Sequence, residues 1–176
     1  MVLVEETVKI PSSRIAVLIG KSGKTKRKIG SLTKCILDID SESGEVRVKA
    51  KNNGKNFYNA LSIIRAIGRG FSPEKTFLLL DEDFLLEVLN LEDFLGKKQL
   101  ETKKARIIGT KGKARAEIEK KTNCLISVFG KTIAIIGKPE NIETARKAIE
   151  MLLRGATHKS AFRFIERKSA ETEFEI

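Results

Sequence analysis

The chain has 176 residues, enough for one ordinary domain or two small ones, and its 41% hydrophobic and 32% charged residues are the balance of a globular protein with a heavily charged surface. A formal net charge of +11 points to a polyanionic partner, nucleic acid before an anionic membrane, with a lysine-rich solubilising surface as the plain alternative. The longest apolar runs, such as "FLLL" at 77–80, fall far short of the ~18 residues a membrane span needs; "MVLVEETVKI" at the start does not read as a secretory signal; and Cys35 and Cys124 are too few and too distant for a zinc site or a disulfide framework.

Taken in chain order, "VEETVKI" (4–10) alternates as a strand does. Pro11-Ser12-Ser13 opens a short helix that runs through Ile19. A G-x-x-G turn, Gly20-Lys21-Ser22-Gly23, leads into a basic helix over 24–34. "CILDID" (35–40) and "GEVRVKA" (44–50) read as strands, the second with Val46 and Val48 on one side. The next helix places apolar residues at 57, 60, 61, 64 and 67, a stripe of helical period, with Tyr58 near the core. An acidic connector (73–83) follows. Beyond it come a strand (85–91), a helix, the turn "GTKG" (109–112), a helix, the strands "CLISVF" and "TIAIIG", and a helix from Pro139 to Arg154. Proline suits the first turn of that last helix.

The order is β-α-α-β-β-α, twice, and the residues repeat with it. Ile19, Gly20, Gly23, Lys24, Ile29, Thr33 and Cys35 match Ile108, Gly109, Gly112, Lys113, Ile118, Thr122 and Cys124 at a constant offset of 89. Further on, Phe57, Ala60, Ile64, Ile67 and Arg69-Gly70 match Ile142, Ala145, Ile149, Leu152 and Arg154-Gly155 at an offset of 85. The second copy has therefore lost four residues between its strands and its last helix, a shift confined to a loop, where two copies of one fold are free to differ.

"IGKSGKT" (19–25) has the look of a P-loop, and "FLLLDE" (77–82) of a magnesium-binding strand, so a small NTPase or kinase is the rival reading. The full motif requires a first glycine at 18, where this chain has Leu18. The second copy has Ala114 where a P-loop needs Ser or Thr, and "KKARIIG" before it is too charged for a buried parallel strand. What the copies share is G-x-x-G followed by lysine.

Two glycines three apart allow a tight turn and let a ligand backbone approach without an intervening Cβ. The helix that follows offers unpaired N–H groups and its positive dipole end. The turns hold Lys21-Ser22 and Thr110-Lys111, a cation and a hydroxyl each; Lys24, Lys26, Arg27 and Lys28 follow the first, Lys113 and Arg115 the second, and Lys103, Lys104 and Arg106 precede the second. The candidate phosphate-binding set is therefore Gly20, Lys21, Ser22, Gly23, Lys24, Arg27 and Lys28 with Arg106, Gly109, Thr110, Lys111, Gly112, Lys113 and Arg115. The chain lacks Trp and has one Tyr, which argues against an aromatic stacking platform.

Within β-α-[GxxG]-α-β-β-α, present twice, the pattern resembles the type I KH domain over about 3–71 and 84–156. The resemblance implies an α+β fold: two domains (1–72 and 84–156), each a three-stranded antiparallel sheet with helices on one face, packed together, with a C-terminal extension at 157–176. It implies that each GxxG loop clamps the backbone of about four single-stranded nucleotides, over an apolar groove whose candidates are Ile15, Leu18, Ile19, Ile29 and Leu37 and, in copy two, Ile107, Ile108, Ile118 and Ile126. Most of these serve the core, with one or two reaching the groove.

With "GATHKSAFRFIERK" (155–168) added to "IGTKGKARAEIEKKTNC", the chain resembles the archaeal relatives of the partner-of-NOB-one family of pre-rRNA processing factors. That resemblance implies a non-enzymatic protein of ribosome biogenesis in the cytoplasm. It implies as partners the 3′ region of small-subunit rRNA, the maturing nuclease and the alpha subunit of translation initiation factor two. The first GxxG is intact, so both copies are expected to touch RNA. A mainly protein-binding assembly factor is a third reading.

No constellation in the sequence assigns a catalytic residue, a metal or a cofactor. The acidic residues Asp81, Glu82, Asp83, Glu87, Glu92 and Asp93 within 76–96 read as a solvated face or as a docking site for a basic protein. His158 reads as structural. The tail "HKSAFRFIERK" reads as a helix with Phe162 and Ile165 on the second copy and Lys159 and Arg163 toward RNA, and the last residues, "AETEFEI", as frayed.

Overall fold

The computed structural model describes residues 3–94 and 96–174. The chain divides into two compact units, Met1–Glu82 and Asp83–Ile176. The first runs β1 (Val4–Lys9), α1 (Ser12–Ile19), a turn of 3-10 helix (Lys21–Gly23), α2 (Lys24–Thr33), β2 (Ile36–Ile39), β3 (Glu45–Ala50) and α3 (Lys55–Gly68). The second repeats it as β4 (Leu85–Asn90), α5 (Leu100–Ile108), a 3-10 turn (Thr110–Gly112), α6 (Lys113–Thr122), β5 (Leu125–Phe129), β6 (Thr132–Gly137) and α7 (Pro139–Leu153). Each unit holds a three-stranded antiparallel sheet, in the orders β1-β3-β2 and β4-β6-β5. The α+β fold expected for each copy, a three-stranded antiparallel sheet with helices, is the one observed.

Pleat alternation decides what faces the helices. Val46 and Val48 on the central strand are fully buried, opposite Val8 and Leu37, while Glu45 and Arg47, which alternate with them, are exposed. The helices contribute Leu18, Ile29, Ile64 and Ile67 to the same core. The second core repeats it with Ile107, Ile118, Ile133, Ile135 and Ile149. Small polar details repeat too. Thr33 and Thr122 each donate to the carbonyl four residues back at 2.7 Å, and Lys34 and Asn123 end α2 and α6 in the left-handed region at φ 54° and 53°.

The four residues missing from the second copy come out of two places, and not all from the loop before the last helix as the sequence match suggests. Val48 pairs with Leu37 and Ile135 with Ile126, so the offset between copies is already 87 at the central strand (135 − 48) and reaches 85 only at the last helix (142 − 57). Two residues leave the hairpin turn and two leave the loop into the helix. An even deletion in the hairpin keeps every inward side chain inward; an odd one would turn the strand over.

Three expectations are corrected. Tyr58 is 55% exposed, because it lies one residue off the stripe of Phe57, Ala60, Leu61, Ile64 and Ile67; its ring meets Phe57 edge-on at 5.8 Å. Residues 73–83 are no connector. α4 (Pro73–Thr76) and a 3-10 turn (Phe77–Leu80) fold onto α3, with Thr76 and Leu79 buried, Asn59 donating to the Leu80 carbonyl, and Lys55 paired with Glu82. "FLLL" is thus a helical turn and not a strand. The tail is not frayed from residue 170: helix α8 (His158–Phe174) continues through it, and Glu175 and Ile176 lie outside the described residues. As expected, Ile165 of α8 is buried in the second core, with Ala161 beside it and Phe162 packed partly against it.

Candidate RNA-contacting loops

The two GxxG loops have the same backbone. Gly20 and Gly109 take φ 72° with ψ 173° and 176°, a region essentially reserved for glycine. Gly23 and Gly112 take φ 73° with ψ 15° and 12°, in the left-handed region. Between them Ser22 (φ 52°) and Lys111 (φ 53°) are also left-handed. Each loop closes on itself, the second glycine's N–H donating to the first glycine's carbonyl at 3.1 and 3.2 Å.

The first glycine is required twice over, by conformation and by space. A Cβ on Gly20 would stand 2.8 Å from the Thr25 nitrogen and 2.3 Å from its Oγ1; on Gly109 it would stand 2.8 Å from the Ala114 nitrogen and 2.6 Å from its Cβ. The loop thus folds back onto the start of the next helix. Thr25 and Ala114 fill one packing position, so Thr25 is a loop-packing residue. The segment before Gly20 is helix α1 where a P-loop would follow a strand. Gly112 is different, because a Cβ there would meet nothing within 4 Å. Its outer side is open to an approaching backbone.

Both following helices begin on a glycine, with no side-chain cap and no acidic residue in the first turn. Helix starts ordinarily recruit a Ser, Asp or Glu to their free N–H groups. Here no side chain takes that place; the first N–H of each helix, that of Lys24 and of Lys113, donates within the loop to the Lys21 and Thr110 carbonyls, and the acid-free turn that follows suits a phosphate. Lys21, Ser22 and Lys24 are exposed around the first loop, and Thr110, Lys111 and Lys113 around the second. Of the nine groove candidates only Ile19 and Ile108 are left half-buried, each at the last helical residue before its loop; Ile15, Leu18, Ile29, Leu37, Ile107, Ile118 and Ile126 are core.

The copies differ in their cations. Arg27 curls back over its loop, so that a Cβ on Gly23 would lie 3.0 Å from Nη1; the matching residue in the second copy is Ala116. Lys28 holds its ammonium 4.6 Å from the centroid of the Phe77 ring, a cation–π contact; its counterpart is Glu117. Arg115 is half-buried, and its Nε lacks a hydrogen-bond partner.

Arg106 is placed elsewhere than the sequence suggests. Its guanidinium donates to the Leu152 carbonyl at 3.1 Å, in the last turn of α7, and to the Ala156 carbonyl at 2.6 Å, in the turn that follows the helix. Arg14 does the same in the first unit, donating to the Ile67 and Phe71 carbonyls at 2.8 and 2.7 Å. The alignment hides this pairing, since Arg14 matches Lys103 and Arg106 matches Val17, one turn apart on the same helix face. Arg106 is a structural clamp on α7. His158 Nε2–H donates to the Arg106 carbonyl at 2.8 Å, tying the start of α8 to the last turn of α5. Nothing in the sequence signals that bond.

The acidic residues of 76–96 are largely occupied within their own units: Glu82 with Lys55, Asp83 with Lys138, Glu87 with Arg146, and Glu92 with Lys131. Among the described residues no group of three or more His, Cys, Asp or Glu side chains is placed to hold a metal, and no helix is long and apolar enough to cross a membrane. Burial pushes the Cys124 thiol up to about 11.

Comparison with known proteins places this geometry. The KH domain model matches residues 5–66, and a eukaryotic type KH domain (type I) model, that of the second KH domain of PNO1, matches residues 85–170. A KH domain-containing protein of Methanocaldococcus jannaschii is 40% identical over 167 residues, covering 93% of this chain and 73% of that protein. The pre-rRNA-processing protein PNO1 of Chaetomium thermophilum is 28% identical over 131 residues, which span 69% of this chain and 51% of PNO1. Among solved structures, the complex of archaeal Dim2p with the alpha subunit of initiation factor two and rRNA from Pyrococcus horikoshii matches with a TM-score of 0.92 and 47% identity, covering 96% of both chains.

Proposed function

The chain belongs to the PNO1/Dim2 group of tandem type I KH-domain proteins, and from that premise we infer that it binds single-stranded rRNA through both GxxG loops during ribosome biogenesis. The observation that carries the reading is the pair of helix starts of matching backbone angles, without side-chain caps or acids, behind intact glycine turns, each with exposed lysines. Gly20, Lys21, Ser22, Gly23, Lys24 and Arg27 grip one stretch of backbone, with Lys28 behind them. Gly109, Thr110, Lys111, Gly112, Lys113 and Arg115 grip another. Ile19 and Ile108 offer apolar surface to the bases.

The target is the 3′ region of small-subunit rRNA, and the alpha subunit of initiation factor two is a partner; the reading rests on the rRNA complex of the Pyrococcus relative and on the pre-rRNA-processing relative. The maturing nuclease is a further partner. The protein works by binding, in the cytoplasm, with no catalysis of its own, so equilibrium dialysis should show no micromolar ATP binding in magnesium. Sequencing RNA crosslinked to the protein in cells should return small-subunit rRNA near its 3′ end. Recovery of other RNAs without rRNA enrichment would overturn the assignment.

A further inference from the structure

The second unit carries cations that neither its GxxG loop nor its core uses. On α8, Lys159, Arg163 and Arg167 stand four residues apart, so they share one face of the helix, and all three are exposed. Nearby basic side chains are paired with acids: Lys121 with Glu117 and Glu166, Arg146 with Glu87 and Glu150, Lys147 with Glu143, and Lys168 with Glu171. Among the described residues, Lys159, Arg163 and Arg167 make no hydrogen bond or ion pair, though Glu171 lies within the field of Arg167. Glu166, the acid on the same side of the helix, is bound to Lys121 at 2.6 Å.

The position of the row gives it meaning. His158 fixes the start of α8 to the Arg106 carbonyl, three residues before Gly109. Lys121, near the far end of α6, holds Glu166, halfway along α8. The helix therefore leaves the neighbourhood of the second loop and runs alongside α6, carrying its cations over about 12 Å of surface. The second loop is also the one short of charge. Where α2 offers Lys24, Lys26, Arg27 and Lys28, α6 offers Lys113, Arg115, Ala116 and Glu117.

We propose that Lys159, Arg163 and Arg167 form a phosphate track that continues the second GxxG clamp along α8, holding RNA backbone beyond the nucleotides the loop itself grips. The occupant is the same RNA strand. Charge complementarity and continuity with the loop specify it, and the proposal rests on the clamp reading above.

The test uses the full chain with Lys21-Ser22 replaced by Asp-Asp, so that binding runs through the second loop. Into it go Lys159→Gln, Arg163→Gln and Arg167→Gln together, exposed changes that keep good helix formers; an unchanged melting midpoint shows that α8 is intact. Affinity is measured for single-stranded RNA of about four nucleotides, the length one loop clamps, and of about twelve. The track predicts an unchanged short-oligonucleotide affinity, a loss of about tenfold or more for the long one, and a salt slope shallower by about 2. Equal affinity for the long RNA with and without the three changes would overturn the track while leaving the clamp standing. Failure of the short RNA to bind in the starting background would overturn the second clamp, and the track with it.

Discussion

At the scale of single residues, the loops separate positions that look alike in sequence. Gly20 and Gly109 abut the start of the next helix, whereas Gly112 faces open space. Gly109→Ala should therefore cost more stability than Gly112→Ala, by about 1–3 kcal/mol beyond the ~1–2 kcal/mol of a left-handed non-glycine residue, as read by urea denaturation. The G-x-x-G spacing was legible in the sequence, but the distinction between its glycines was not, because it depends on what the chain folds back against. The role of Arg106 in the fold was hidden for a related reason. A basic residue near a basic loop looks like a ligand contact until its carbonyl partners at Leu152 and Ala156 are seen. Arg106→Met should destabilise the second unit by about 1–3 kcal/mol, visible in thermal melts. Cys124, whose thiol burial holds up at about 11, should stay unreactive to thiol reagents at pH 8 until the protein unfolds. The sign follows from linkage. The folded thiol keeps its proton where an unfolded one, with a pKa of about 8.5, has lost it. Its contribution to stability is thus complete below about pH 8.5 and is lost as pH rises toward 11. That part of the alkaline decline should be missing in Cys124→Ala.

At the scale of elements, most of the fold could be read in advance. Strand alternation and helix stripes are set by burial on one face, and the observed bounds of β3, α2 and α7 fall within a residue of the pattern. What escaped was how segments without periodicity pack. Residues 73–83 carry turn and acidic residues and so read as a linker, yet Leu79 and Thr76 are buried on α3. The split of the missing residues between two loops also needed strand register, which sequence matching cannot supply when the intervening residues differ. The hairpin turn of the first unit gives a pH test. The Asp40 carboxylate accepts the Glu42 and Ser43 N–H groups at 2.9 and 3.3 Å, and hydrogen bonding from Ser43 and Glu42 holds its pKa below the ordinary value. A depressed carboxylate stabilises the fold above its unfolded pKa of about 3.9 and loses that contribution as pH falls through the folded value. Asp40→Asn should remove that part of the acid dependence while leaving the neutral-pH fold unchanged by circular dichroism.

At the scale of the whole chain, the repeat and the net charge of +11 were the informative features, and both describe the same device made twice. The charge is not spread evenly. Acids in 76–96 pair with Lys55, Lys131, Lys138 and Arg146, while the lysines of the two GxxG loops stay exposed. Binding should accordingly be strongly salt-dependent, with a slope of about −0.7 per phosphate neutralised on single strands. The most direct measurement is a titration of single-stranded rRNA against four proteins: the wild type, Lys21-Ser22→Asp-Asp, Thr110-Lys111→Asp-Asp, and the two combined. Two working clamps predict that each single change weakens binding and flattens the salt slope, and that the combination abolishes binding with the melting midpoint preserved. Undiminished affinity in the combined variant would contradict the account.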